Sequence, residues 1–195
     1  QRILILTHRP VVDAGWFEDF GKIFYDRTDF AYGSKNNGES YANLEQRSEN
    51  DGLHYVYFAS MQDLRGSELV GGNFDKNNEV FATDWDLIIV DEAHEGTKTE
   101  LGQAVMEELV KDRTKVLRLS GTPFNLLSDF KEDEIYTWDY VMEQRAKKTW
   151  DEIHFGDHNP YASLPTLNIY TYDLGRLLHE FADEDIAFNF KEFFR

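Results

Sequence analysis

Asp86-Leu87-Ile88-Ile89-Val90-Asp91-Glu92-Ala93-His94 is the stretch that decides how this chain is read. Leu87 to Val90 are four consecutive apolar residues rich in β-branched side chains. That pattern suits a strand of a parallel sheet covered on both faces. Two adjacent acids follow at the point where such a strand leaves the core. In open α/β sheets ligands bind at the carboxyl ends of strands. Asp91 there is suited to hold Mg²⁺ through water, since that ion takes oxygen ligands and keeps part of its hydration shell. Glu92 is suited to orient or deprotonate a water that attacks a phosphate. A surface Asp-Glu-Ala-His could instead simply start a helix, and the flanking residues decide between the two.

Downstream, residues 99–111 read as a helix with Thr99 as N-cap and Leu101, Val105, Leu109 and Val110 on the buried face. Residues 115–119 read as another strand, ending in Ser120-Gly121-Thr122-Pro123. Upstream, Val80 to Trp85 leads into the central strand, with Trp85 expected to be buried near the sheet edge. Residues 53–60 have strand character and run into Ser60-Met61-Gln62. Residues 3–6, Ile-Leu-Ile-Leu, form a core strand that ends in Thr7-His8-Arg9-Pro10, where Pro10 stops the ladder.

The strand with Asp91-Glu92-Ala93-His94 resembles the Walker B motif, motif II, of the DEAD/DEAH superfamily 2 helicases and translocases. Ser120-Gly121-Thr122-Pro123 after the next strand resembles motif III, in the form typical of restriction-enzyme motor (Res) subunits. The segments ending at Thr7–Arg9 and at Ser60–Gln62 resemble motifs Ia and Ib. The resemblance covers about residues 3–172 and implies an α/β, three-layer RecA-like domain of the P-loop NTPase type, with a mainly parallel sheet. It implies ATP and Mg²⁺ as cofactors, with Asp91 on the metal through water and Glu92 as the catalytic carboxylate. His94, Ser120, Gly121 and Thr122 would couple nucleotide state to the nucleic-acid face. Thr7, Arg9, Ser60 and Gln62 would contact the nucleic-acid backbone. The implied partner is DNA, double-stranded by preference over RNA. A second RecA-like domain, and nuclease or specificity subunits, would act beside it.

The chain departs from the family pattern in one respect. A motor of this class carries a Gly-x-x-x-x-Gly-Lys-Ser/Thr loop before motif Ia, and no such loop occurs here. Gly71-Gly72 lacks the Lys-Ser/Thr pair and is rejected as a phosphate loop. The chain begins at Gln1 and enters a strand at once, so the expectation is a fragment truncated at its N-terminal strand and P-loop. On this reading residues 1–172 are a partial RecA-like domain. Residues 173–195 are a helical extension that ends in a phenylalanine-rich run. The fragment alone is expected to be inactive.

The remaining segments are less specific. Residues 16–25 read as a helix packed on the sheet. Residues 33–52, rich in Gly, Asn, Ser and Glu, read as a surface loop, and so do 65–79. Residues 129–134 are acidic and solvated. A helix is expected from about 140 to 150, and a strand at 166–172.

Composition sets outer limits. With 195 residues, 41% of them hydrophobic, the chain is long enough for one well-packed domain. It has no cysteine, which excludes disulfides and thiolate metal sites. His8, His54, His154, His158 and His179 have no metal-ligand spacing. No apolar run is long enough to span a membrane, and a cytoplasmic protein is the expectation. The net charge of −17 is awkward for a nucleic-acid motor, because phosphate binding favours a basic surface. DNA contacts would then be few and local, or made by other parts of a larger protein. The alternative is a degenerate RecA-like domain that serves as a non-catalytic interaction scaffold.

Overall fold

A computed structural model describes residues 1–8, 13–94 and 99–170. The chain divides into two compact units, Gln1–Ile135 and Tyr136–Arg195.

The first unit is built on five strands: β1 (Arg2–Thr7), β2 (Phe30–Ser34), β3 (His54–Ser60), β4 (Leu87–Val90) and β5 (Lys115–Arg118). They form one sheet in the order β2-β3-β1-β4-β5, and every neighbouring pair is parallel. This is the RecA-like α/β arrangement that the resemblance implies.

Side chains alternate across the sheet because successive residues of a strand point to opposite faces. Leu4, Leu6, Tyr55, Tyr57, Ile88 and Val90 enter one core cluster. Ile5, Val56 and Phe58 enter the other, with Ile3 and Ile89 packed against it. Helix α1 (Asp13–Ile23) covers the second face through Trp16, Phe17 and Phe20. Helices α2 (Tyr41–Asp51), α3 (Met61–Leu64), α4 (Asn78–Ala82) and α5 (Glu100–Leu109) contribute to the first. Handedness explains this division. The β1-to-β2 crossover runs across the sheet in the direction opposite to the later ones. Right-handed connections therefore place its helix on the opposite face.

Residues 33–52 differ from the loop expected of them. Their start completes β2, and α2 occupies residues 41–51. Ser40 caps α2 by accepting from the Asn43 N–H, and Gly52 ends it at φ +66°. Only Tyr41 and Leu44 are buried on this helix, so nine of its eleven residues carry no core signal and the segment reads as polar loop. Helix α5 has its expected N-cap, Thr99 accepting from the Gly102 N–H. Its buried face is narrower than expected: Val105 and Leu109 are enclosed, while Leu101 and Val110 are exposed.

Trp85 is buried, and its indole donates to the Val80 carbonyl at 2.9 Å. Tyr41, Tyr55 and Thr83 join their hydroxyls in the same cluster. Burial raises the Tyr41 and Tyr55 phenols above their ordinary range, so these groups stay neutral hydrogen-bonding members of the core.

Gly71 and Gly72 have a structural explanation. Gly71 closes the short turn Glu68–Val70 at φ +87°. Gly72 lies against the backbone of residues 65 and 66, and a Cβ built on it would fall 2.3 Å from the Gly66 carbonyl carbon. A Gly72→Ala variant is therefore expected to lose about 1–3 kcal/mol, because backbone must shift to admit the methyl. Gly21→Ala, in α1 with open space around it, is expected to gain up to about 1 kcal/mol. Urea unfolding midpoints of the two variants, compared with wild type, check both signs.

In the second unit the described part contains α6 (Tyr140–Ile153), with Asp139 as N-cap accepting from the Met142 N–H at 2.8 Å. Trp138 and Trp150 pack around Tyr161, and the Asn159 side chain donates to the Lys147 carbonyl. The strand expected at 166–172 does not form over its described part, 166–170. Leu167, Ile169 and Tyr170 are exposed, so alternation there does not reflect a buried face. The extension expected at 173–195 lies outside the described residues. Among the described residues no helix is long and apolar enough to cross a membrane.

Candidate functional site

Sheet order decides which residues meet. In register, Thr7 lies opposite Ser60, and Leu6 opposite Val90. Val90 in turn lies opposite Arg118. The carboxyl ends of β3, β1, β4 and β5 therefore present Ser60, Thr7, Asp91 and Ser120 side by side along one edge. Neighbouring strands are about 4.8 Å apart, so segments far apart in sequence become near neighbours. Motif ends that read as separate strand exits thus form a single rim.

The backbone holds this rim closely. The Asp91 N–H donates to the Leu6 carbonyl at 2.8 Å, which carries the β1–β4 ladder one residue past Val90. The Leu119 N–H donates to Val90, and the Ala93 N–H returns a bond to the Leu119 carbonyl, both at 2.9 Å. Ala93 is fully buried, so the turn after Asp91 is anchored under the β5 exit.

Asp91 is half-buried, and each carboxylate oxygen accepts a hydrogen bond. Oδ1 takes the Glu92 backbone N–H at 3.0 Å, and Oδ2 takes the Trp16 indole N–H at 3.0 Å. An ionised carboxylate has about four lone-pair sites, so the outward side of both oxygens retains acceptor capacity. Glu92 is exposed and has φ +50°, a left-handed conformation that non-glycine residues seldom adopt. Backbone strain of this kind concentrates at functional sites.

His94 is tied to the turn that begins at Ser120. Its Nδ1 lies 2.8 Å from Ser120 Oγ and 3.3 Å from Glu92 Oε2. Ser120 Oγ also accepts from the Thr122 N–H at 3.1 Å. The Asn125 side chain donates to the His94 carbonyl at 3.4 Å. Glu92, His94, Ser120 and Thr122 are thus one connected chain of polar contacts. Gly121 is exposed at the turn, with nothing near the position of a Cβ.

Thr7 and Ser60 are nearly buried and line a hollow of about 120 Å³ with Ser34, Lys35, Asp63 and Asn77. Ser60 caps α3, its Oγ accepting from the Asp63 N–H at 3.0 Å. Gln62 is exposed on α3, and Arg9 lies outside the described residues. Asp63 organises this corner. Its carboxylate accepts from Lys76 at 2.7 Å and Asn77 at 3.0 Å, with Lys35 at 3.6 Å. Burial alone would raise the Asp63 carboxyl, but those bonds and the Lys35 charge hold it below the usual range.

Three neighbours here had no signal in the sequence. Lys35 belongs to the segment that reads as loop. Asn125 follows the motif III turn. Trp16 reads only as an apolar residue of a packing helix.

Among the described residues no cluster of three or more His, Asp or Glu gathers around one point.

A parallel five-stranded sheet, with acids leaving its central region and a hydroxyl turn bonded to the histidine that follows them, defines a helicase-like RecA-type domain of the DEAD/DEAH superfamily 2. The profile of the family described as "Type III restriction enzyme, res subunit" matches residues 1–125, and the chain belongs to that family. The chain is also similar to a Mycoplasma pneumoniae protein described as "Putative type II restriction enzyme and methyltransferase RM.MpnORF110P C-terminus". The two are 26% identical over 223 aligned positions, which take in 91% of this chain and 29% of the relative. The chain thus spans less than a third of that relative's length.

Proposed function

We propose that this chain is part of the ATP-driven motor of a restriction enzyme, coupling ATP hydrolysis to movement on double-stranded DNA. The observation that carries the reading is the shared rim, where Asp91 and Glu92 leave β4 beside the His94–Ser120 contact. Asp91 would hold Mg²⁺ through water, and the ion, when bound with ATP, would supply neutralisation of the phosphate charge. Glu92 accepts a proton from the attacking water. His94, Ser120, Gly121 and Thr122 relay nucleotide state along the rim. Thr7, Arg9, Ser60 and Gln62 contact the DNA backbone, and Lys35 adds local positive charge to an otherwise acidic surface.

The reading needs a Gly-x-x-x-x-Gly-Lys-Ser/Thr loop and a second RecA-like domain in the larger protein. Nuclease or specificity subunits are its further partners. Among the described residues β5 is an edge strand, and a further strand of the larger protein would pair along its outer backbone edge.

The test is ATP hydrolysis by the whole protein, with and without double-stranded DNA. DNA-stimulated turnover is the expected result, with negligible turnover from this chain alone. A whole protein that binds partners yet hydrolyses no ATP would instead support the scaffold reading.

A further inference from the structure

We infer that Trp16 is a positioning residue for the metal-site carboxylate, holding Asp91 through its indole N–H. This rests on the proposed role of Asp91 and extends it to a residue outside the strand-end motifs.

Trp16 lies on α1, 75 residues from Asp91 in sequence, and its Nε1 donates to Asp91 Oδ2 at 3.0 Å in a partly buried setting. Its ring is half-buried and packs against Phe20 and Phe58, with ring centres 5.8 and 5.9 Å away. A side chain packed on two sides has little rotational freedom, so the direction of its N–H is set by the core. Asp91 Oδ1 is bound at the same time by the Glu92 backbone N–H. Two fixed donors on two oxygens define the plane of the carboxylate. One donor alone would restrain its rotation about the Cβ–Cγ bond less tightly.

Tryptophan differs from other large core residues in this respect. It donates a hydrogen bond and accepts none. Phe keeps an aromatic ring in the packing but lacks the N–H that serves Asp91. Outer-shell donors of this kind typically contribute about 10–100-fold to metal affinity or activity.

The experiment measures free Mn²⁺ by electron paramagnetic resonance, with Mn²⁺ standing in for Mg²⁺, in the whole protein loaded with ADP. Trp16→Phe is expected to weaken nucleotide-dependent Mn²⁺ binding by about 10-fold or more. ADP affinity without metal and the thermal midpoint should stay close to wild type. Unchanged Mn²⁺ affinity in the folded variant overturns the inference. Should Trp16→Phe fold poorly, a benzothiophene analogue of tryptophan at position 16 keeps the shape and removes only the N–H. Wild-type Mn²⁺ affinity in that protein is equally decisive against the inference. Wild-type protein that binds no Mn²⁺ with ADP overturns the reading of Asp91 itself, and is told apart because it appears before any substitution.

Discussion

Replacing Glu92 by Gln in the protein that contains this chain is expected to lower ATP turnover by about 10²–10⁴-fold, the usual contribution of a positioned general base. Nucleotide binding should persist. Gln has the same length and similar volume, so it occupies the exposed position of Glu92 without new clashes. It can still accept and donate hydrogen bonds but takes no proton at neutral pH. The backbone bond from residue 92 to Asp91 Oδ1 comes from the main chain and survives the change. A loss of kcat with retained nucleotide affinity would separate base catalysis from binding. Steady-state kinetics with a fluorescent nucleotide titration measures both. Wild-type kcat in the variant would remove Glu92 from the proposed mechanism.

Ile88→Ala is expected to destabilise the first unit by about 2–5 kcal/mol, the range for removing most of a fully buried aliphatic side chain. Ile88 has no exposed surface, and β4 is flanked by β1 and β5 in the sheet. Its neighbours belong to rigid strands and helices, so collapse into the cavity is limited. Ile89→Ala should cost less, because that side chain is only half-buried on the α1 face. Denaturant unfolding followed by far-UV circular dichroism gives both values. Equal costs would contradict the assignment of the two β4 faces.

The two predictions touch adjacent parts of one element and differ in kind. Ile88 keeps β4 in place, whereas Glu92 uses the position that β4 provides. A stability loss at Ile88 should lower activity only through the folded fraction. Glu92→Gln should leave the unfolding midpoint nearly unchanged.

Legibility differed between segments for physical reasons. The strands at 3–6, 53–60 and 87–90 could be read because an apolar run at a buried parallel strand is a local property. Thr99 could be read as a cap for the same reason, since a cap bonds the backbone two or three residues away. Helix α2 was not legible. It spends only Tyr41 and Leu44 on the core, and a polar helix on a sheet differs little in composition from a loop. Residues 166–170 misled in the other direction: Leu167, Ile169 and Tyr170 give an apolar pattern, yet all three are exposed.

Period, capping and the chemistry at each strand exit were written in the amino acids alone, because each depends on residues within one or two turns of chain. The meeting of Asp91 with Trp16, of His94 with Ser120, and of Thr7 with Ser60 depended instead on strand order and register. Pairing between distant segments is chosen by the burial of whole faces. No short stretch of sequence contains that choice.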